Sequence, residues 1–295
     1  MPFKDIVKPV LSSQTLGRVA KIACIMGLYA CLPIAKDYST FKDWAHTPSD
    51  IHAALSLILG CLLVFRTNAA YGRWWEARTL WGSLVNAARN LSIKVVTIGK
   101  IRPEDSRFLE TMISEFPVAL MQHLRHPSSP SSPDGEFRHR PVLIVLNMYE
   151  WLNRAKEEGT LDGDDMRAID LELSRFLDIC GACERIARTP FVRSYRIFAQ
   201  QCIMLFLLTF PWGISGDFHW FTIPLTMILT YFMVGMEIVA EHVEEPFGYD
   251  EDDLKLESLC TTIESSTHGV FVSGMQARSA VAARPADYRI KSPVA

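Results

Sequence analysis

The sequence predicts an all-α membrane protein, with four transmembrane helices and a helical cytosolic domain. Three observations predict it. Four apolar segments, at about 19–35, 51–70, 201–214 and 221–240, stand out from the rest of the chain. The hydrophobic fraction is 49% and the charged fraction 21%, a balance suited to a protein partly in lipid and partly in water. Between Tyr71 and Tyr195 apolar residues recur at three- and four-residue spacing, and no stretch alternates as a strand does.

The first segment has Arg18 and Lys21 at its start and Lys36 and Asp37 at its end. No small-residue cleavage site follows it and three more apolar runs do, so it reads as a span and not a signal peptide. The second is introduced by Thr47-Pro48-Ser49-Asp50, a good helix start, and from Ile51 to Phe65 only His52, Ser56 and Gly60 break the apolar run. Phe65 to Gly82 then packs three Trp, three Arg and a Glu together. A helix leaving a bilayer looks like this, since indole rings settle at headgroup depth and guanidinium groups snorkel toward water. An aromatic belt with no further meaning fits the same residues.

Helical periodicity continues through Trp74, Trp75, Leu80, Trp81, Leu84, Val85, Ala88 and Leu91, and again over 104–124, 142–157 and 166–188. Arg125 to Pro141, with four Pro and a Ser cluster, reads as an exposed loop. The third apolar segment is short and ends in Pro211-Trp212-Gly213; the fourth contains Pro224 and Gly235. A span needs roughly 20 apolar residues, so the second and third must pack against neighbours or line a wet path. Residues 1–264 form one domain, and the tail at 265–295 loses periodicity and is expected to be flexible.

Basic residues set the topology. Lys4, Lys8, Arg18 and Lys21 precede the first span, Arg66, Arg73 and Arg78 follow the second, and Ser215 to Trp220 has neither Lys nor Arg. By the positive-inside rule both termini and the middle segment are cytoplasmic, in the plasma membrane or an internal one. The net charge of −3 and pI of about 6.2 supply no basic field for nucleic acid. Seven cysteines, an odd number with four in apolar runs, suit free thiols in a reducing compartment. Cys180-Gly-Ala-Cys183 is a single C-x-x-C and reads as structural.

Two constellations bear on chemistry. Leu57, Cys61 and Phe65 fall at i, i+4 and i+8 and form one stripe on a helix. The stripe packs against lipid or another span, or it is a pore wall that gates by dewetting. The other is acidic: Glu237, Glu241, His242, Glu244 and Glu245, then Asp250, Glu251, Asp252 and Asp253. It pairs with Arg66, Arg73 or Arg78, or it holds Ca²⁺ on hard oxygens. EF-hand spacing is absent, and a Glu/His transition-metal site lacks a second histidine at i±4. His123, His126 and His139 read as surface histidines. No phosphate loop, H-E-x-x-H or G-x-S-x-G appears, so the chain is not expected to be an enzyme.

These residues resemble the bestrophin family, with its bacterial and fungal homologues. The match rests on F-R-x-N-x-A-Y-x-R-W-W-E-A-R-x-x-W-G at Phe65 to Gly82, E-R-I-x-x-T-P at Glu184 to Pro190, and E-x-P-F-G-x-D-x-D-D-L at Glu244 to Leu254. The resemblance implies a homopentameric channel in the lipid bilayer with one central pore, passing small ions, chloride first. A cation-conducting channel and a non-conducting membrane scaffold are the alternatives. It also implies a pore neck at Leu57, Cys61 and Phe65 and a cytosolic aperture at Ile186. No cofactor is required. A Ca²⁺ clasp is implied at Tyr249, Asp250, Glu251, Asp252 and Asp253, with the ion on Asp250 and Asp253. Arg66, Asn68, Arg73, Trp74, Trp75, Glu76, Arg78 and Trp81 become interfacial and structural residues. Cys61 stands where the neck usually has Ile or Phe, which implies a wider, more polar constriction, and Tyr249 replaces an acid of the animal clasp.

Overall fold

The computed structural model describes residues 14–40, 49–98, 101–126, 139–190, 192–250 and 252–282. Among them every regular element is helical and there is no strand. In chain order the α-helices are α1 (Gln14–Tyr29), α2 (Cys31–Asp37), α3 (Ser49–Thr97), α4 (Pro103–Arg125), α5 (Arg140–Glu157), α6 (Gly163–Arg188), α7 (Arg193–Phe218), α8 (Thr222–Glu244) and α9 (Leu256–Ala282). A 3₁₀ turn, His219–Phe221, joins α7 to α8, and His219 takes a positive φ of 48° to make the corner. Among the described residues three stretches are long and apolar enough to cross a membrane: Thr15–Asp37, Asp50–Thr97 and Arg193–Glu244, the last holding both α7 and α8.

The chain divides into two compact units. The first comprises 1–75, 189–246 and 250–253, and the second 76–188, 247–249 and 254–295. In the first, Leu59 and Leu63 of α3 pack with Ile203, Phe206 and Leu207 of α7 and Met233 of α8. Gly27 lets α1 come close to α8, since a Cβ there would lie 2.5 Å from the Met227 side chain. Gly213 of α7 does the same for α3, where an added Cβ would collide with the His52 ring.

The second unit is built on amphipathic stripes whose apolar members are buried. Trp81, Leu84, Ala88, Leu91 and Val95 come from α3, Leu109, Ile113, Phe116 and Leu120 from α4, and Ile169, Leu173 and Phe176 from α6. Phe116 and Phe176 meet edge to face, with centroids 4.8 Å apart.

Two boundaries differ from expectation. The third apolar segment does not stop at 214: α7 runs through Pro211 to Phe218. A proline is tolerated there because a membrane helix meets the freed carbonyl with neighbouring groups. The tail is not flexible from residue 265, because α9 continues to Ala282. Leu256, Cys260, Ile263, Thr267 and Phe271 are buried along one of its sides, and that burial holds the helix. The loop residues 127–138, the helix-start residues Thr47 and Pro48, and 283–295 lie outside the described residues.

Candidate functional site

Helix α3 carries the residues expected at the neck. It is 49 residues long, or about 73 Å at 1.5 Å per residue, more than twice the hydrocarbon thickness of a bilayer. Within the first unit it has two distinct sides. Leu59, Leu63, Arg66 and Ala70 are buried, whereas Leu57, Cys61, Phe65, Asn68 and Gly72 are exposed. Leu57 is 72% exposed and Phe65 71%, so neither serves the core of its own chain. The stripe therefore runs uncovered from apolar residues to a polar one at Asn68.

Arg66 explains how the helix is held at that point. Its side chain is 1% exposed, and Nε donates to both carboxylate oxygens of Glu237 at 3.0 and 2.9 Å. Its Nη2 donates to Glu244 at 3.3 Å. Seven residues on, Arg73 Nε donates to the Glu244 carbonyl at 3.1 Å and Nη1 to the Thr189 carbonyl. Two arginines of α3 thus fasten the end of α8, and a buried guanidinium is tolerable because two carboxylates neutralise it. Of the acidic residues that the sequence pairs with Arg66, Arg73 or Arg78, Glu237 and Glu244 bring their carboxylates to Arg66, while Arg73 takes backbone carbonyls and Arg78 is exposed. Glu241, on the neighbouring face, meets Arg196 at 3.5 Å.

The residues expected to be interfacial and structural take several roles. Trp74 Nε1 donates to the Asp252 carbonyl at 3.1 Å, Trp75 is 57% exposed, and Trp81 is fully buried. In the second unit Glu76 pairs with Arg185.

The acidic run is divided. Tyr249 belongs to the second unit, where Arg125 lies over its ring at 4.2 Å and its hydroxyl sits 3.4 Å from His126 Nε2. Asp250, Asp252 and Asp253 belong to the first, and Glu251 lies outside the described residues. The Asp250 N–H donates to Asp253 Oδ2 at 2.7 Å, and Asp252 Oδ2 lies 3.8 Å from His242 Nδ1. Asp253 Oδ1 is buried with no hydrogen-bond partner. Burial pushes this carboxyl up to about 6, against the Asp250 N–H, which favours the charged form. Ca²⁺ takes six to eight oxygens. One orphaned oxygen does not make that shell, so the described donors do not by themselves fit the ion.

Ile186, the expected aperture residue, is 3% exposed inside its own chain, on the side of α6 that carries the buried Ile179 and Cys183. An aperture residue must reach the lumen, and burial within one chain opposes that role. Thr189, Pro190 and Val192, just beyond α6, are exposed. Burial also pushes the Cys180 and Cys183 thiols up to about 12, which keeps them protonated and inert.

Two histidines are not at the surface as expected. His123 is 8% exposed and His139 9%, and both Nε2 atoms sit on one oxygen of Glu184, at 2.6 and 2.7 Å. Burial raises the Glu184 carboxyl, but hydrogen bonds from His139 and His123 outweigh it and hold the group below its ordinary value. Searching one helix at i±4 misses this trio, because each member comes from a different segment.

The Bacterial/Fungal Bestrophin protein family model matches residues 5–269. A voltage-dependent anion channel-forming protein of Synechocystis is 31% identical over 255 residues, covering 80% of this chain and 83% of that one. One from Ralstonia nicotianae is 32% identical over 272 residues, covering 86% of each. A crystal structure of a bacterial bestrophin homologue from Klebsiella pneumoniae superposes with a TM-score of 0.78 at 25% identity. It covers 88% of this chain and 100% of that one.

Proposed function

The chain belongs to the bacterial/fungal bestrophin family, and from that premise we propose that it is an anion-conducting membrane channel and not an enzyme. Two relatives at 31% and 32% identity bear the name of anion channel-forming proteins. One observation on the chain itself carries the reading: Leu57, Cys61 and Phe65 all face away from the core on a helix whose opposite side is buried.

Copies assembled around an axis, five in the homopentamer proposed here, would bring those three residues together as an apolar neck. Such a constriction gates by dewetting. Phe65 favours anions there, because the edge of an aromatic ring is electropositive. Leu57 and Phe65 form the tight points and Cys61 a wider one between them. The arginine distribution supports four passes with both termini cytoplasmic. Ca²⁺ enters the proposal only as a ligand of the Asp253 carboxylate.

The test is a planar-bilayer recording of reconstituted protein under asymmetric salt, with and without Ca²⁺. The reversal potential is expected to follow the Cl⁻ gradient. A potential that follows K⁺ or Na⁺ overturns the anion assignment and leaves the pore. A purified protein that carries no current at any voltage, with or without Ca²⁺, overturns the channel.

A further inference from the structure

We propose that His123, His139 and Glu184 form a binding site for a divalent transition-metal ion of the zinc class in the helical second unit. Three segments converge there: the last turn of α4 supplies His123, the residue before α5 supplies His139, and the last two turns of α6 supply Glu184. One ligand atom from each lies within 4.8 Å of the others. The two imidazoles lie with centroids 4.3 Å apart and direct Nε2 at the same carboxylate oxygen.

That arrangement suits a cation better than it suits protons alone. Two protonated rings side by side repel each other, and one carboxylate oxygen neutralises only part of their charge. A neutral imidazole with its proton on Nδ1 presents the Nε2 lone pair, the form that a metal takes. Zinc ligand bonds of about 2.0–2.2 Å place tetrahedral ligand atoms roughly 3.4 Å apart. The present N–O separations of 2.6 and 2.7 Å therefore open by under about 1 Å, a side-chain rotation of Glu184.

Donor chemistry sets the class. Two imidazoles and a carboxylate suit zinc, nickel, iron or copper, while Ca²⁺ and Mg²⁺ take oxygen alone. The competing cation is Arg188, whose Nη2 lies 3.7 Å from Glu184 Oε1 and whose side chain is half exposed. Being long and one turn further along α6, it swings into solvent when the ion enters. Cys180, one turn before Glu184, stays a thiol because burial pushes it up to about 12. Three protein ligands and an open fourth position for water result. Bound there, the ion ties the ends of two helices to the start of a third.

The full chain is purified in detergent, stripped with EDTA, dialysed against Zn²⁺ and assayed for metal by mass spectrometry. One zinc per chain is expected, with a raised Tm. His139→Ala and Glu184→Gln are each expected to lower affinity at least about tenfold and to abolish the Tm rise. Equal zinc content or an equal Tm rise in these variants overturns the site. Because a variant may misfold, the wild type is also titrated with Co²⁺, whose intense visible bands report tetrahedral coordination. A titration without those bands overturns the site as well. Neither readout depends on ion conduction, so the outcome is independent of the channel assignment.

Discussion

Arg66 answers to two carboxylates at once. Glu237 and Glu244 are 6% and 3% exposed, so Arg66→Ala removes the cation that neutralises both buried groups. Breaking a buried pair this way costs about 3–5 kcal/mol. The expected result is a collapse of detergent-extracted yield and a large fall in Tm. Glu237→Gln keeps a hydrogen-bond acceptor and removes one charge, so its Tm is expected to fall less. Equal Tm for Arg66→Ala and wild type would show that the pairing does not hold α3. Leu57 and Phe65 support no core, so their substitution acts on current and not on stability. Leu57→Ala and Phe65→Ala are each expected to raise single-channel conductance at unchanged Tm. Wild-type conductance in both would take the stripe out of the pore. The stripe was readable from the chain because helical periodicity alone puts i, i+4 and i+8 on one side. Ile186, His123 and His139 were not readable, because their surroundings come from residues distant in sequence. The Glu184 trio spans 61 residues and leaves no local pattern.

At the level of elements, α9 is where sequence and structure part most. Thr261, Thr262, Ser265, Ser266, Thr267 and Gly269 are poor helix formers, and they mask a spaced set of apolar residues. Tertiary burial decides the matter: Ile263, Thr267 and Phe271 are fully buried in the second unit. A chain ending at Glu264 should therefore lose stability, since Phe271 alone is worth about 1.5–3 kcal/mol of burial. Thermal unfolding of that truncation checks this, and an unchanged Tm would restore the flexible tail. Gly213→Ala tests the packing of α3 on α7. Its new methyl meets the His52 ring, which Phe206 and Phe210 flank with centroids 6.1 and 6.3 Å away. The ring has little room to yield, so overpacking of about 1–3 kcal/mol is expected. The helices of 104–124, 142–157 and 166–188 were legible to within a few residues, because each buries its own amphipathic stripe. The C-terminal stripe was hidden by its polar filling, and the end of α7 by Pro211, a residue type that commonly ends a helix.

For the whole molecule the question is what covers the exposed apolar residues. Leu28, Leu57, Phe65, Leu205 and Phe232 are each more than half exposed, and a soluble monomer rarely shows so much apolar surface. In the channel proposed here lipid covers some of it and other copies of the chain the rest, and burial within one chain does not separate the two. Cys61 does separate them. It is a free, exposed thiol on the same stripe as Leu57 and Phe65. A charged, water-soluble thiosulfonate reaches a thiolate in an aqueous pore and does not reach one facing hydrocarbon, where thiols stay protonated and the reagent is excluded. Applied to reconstituted channels, the reagent is expected to change the current of the wild type irreversibly, because it adds a charge between the two tight points of the neck. Cys24 is also exposed, on α1, so the deciding comparison is Cys61→Ala, whose current should be untouched by the same treatment. If Cys61→Ala is modified as the wild type is, another thiol is responsible and the neck does not include residue 61. If the wild type conducts and is not modified, the stripe faces lipid, and the pore must be built from a different side of the chain.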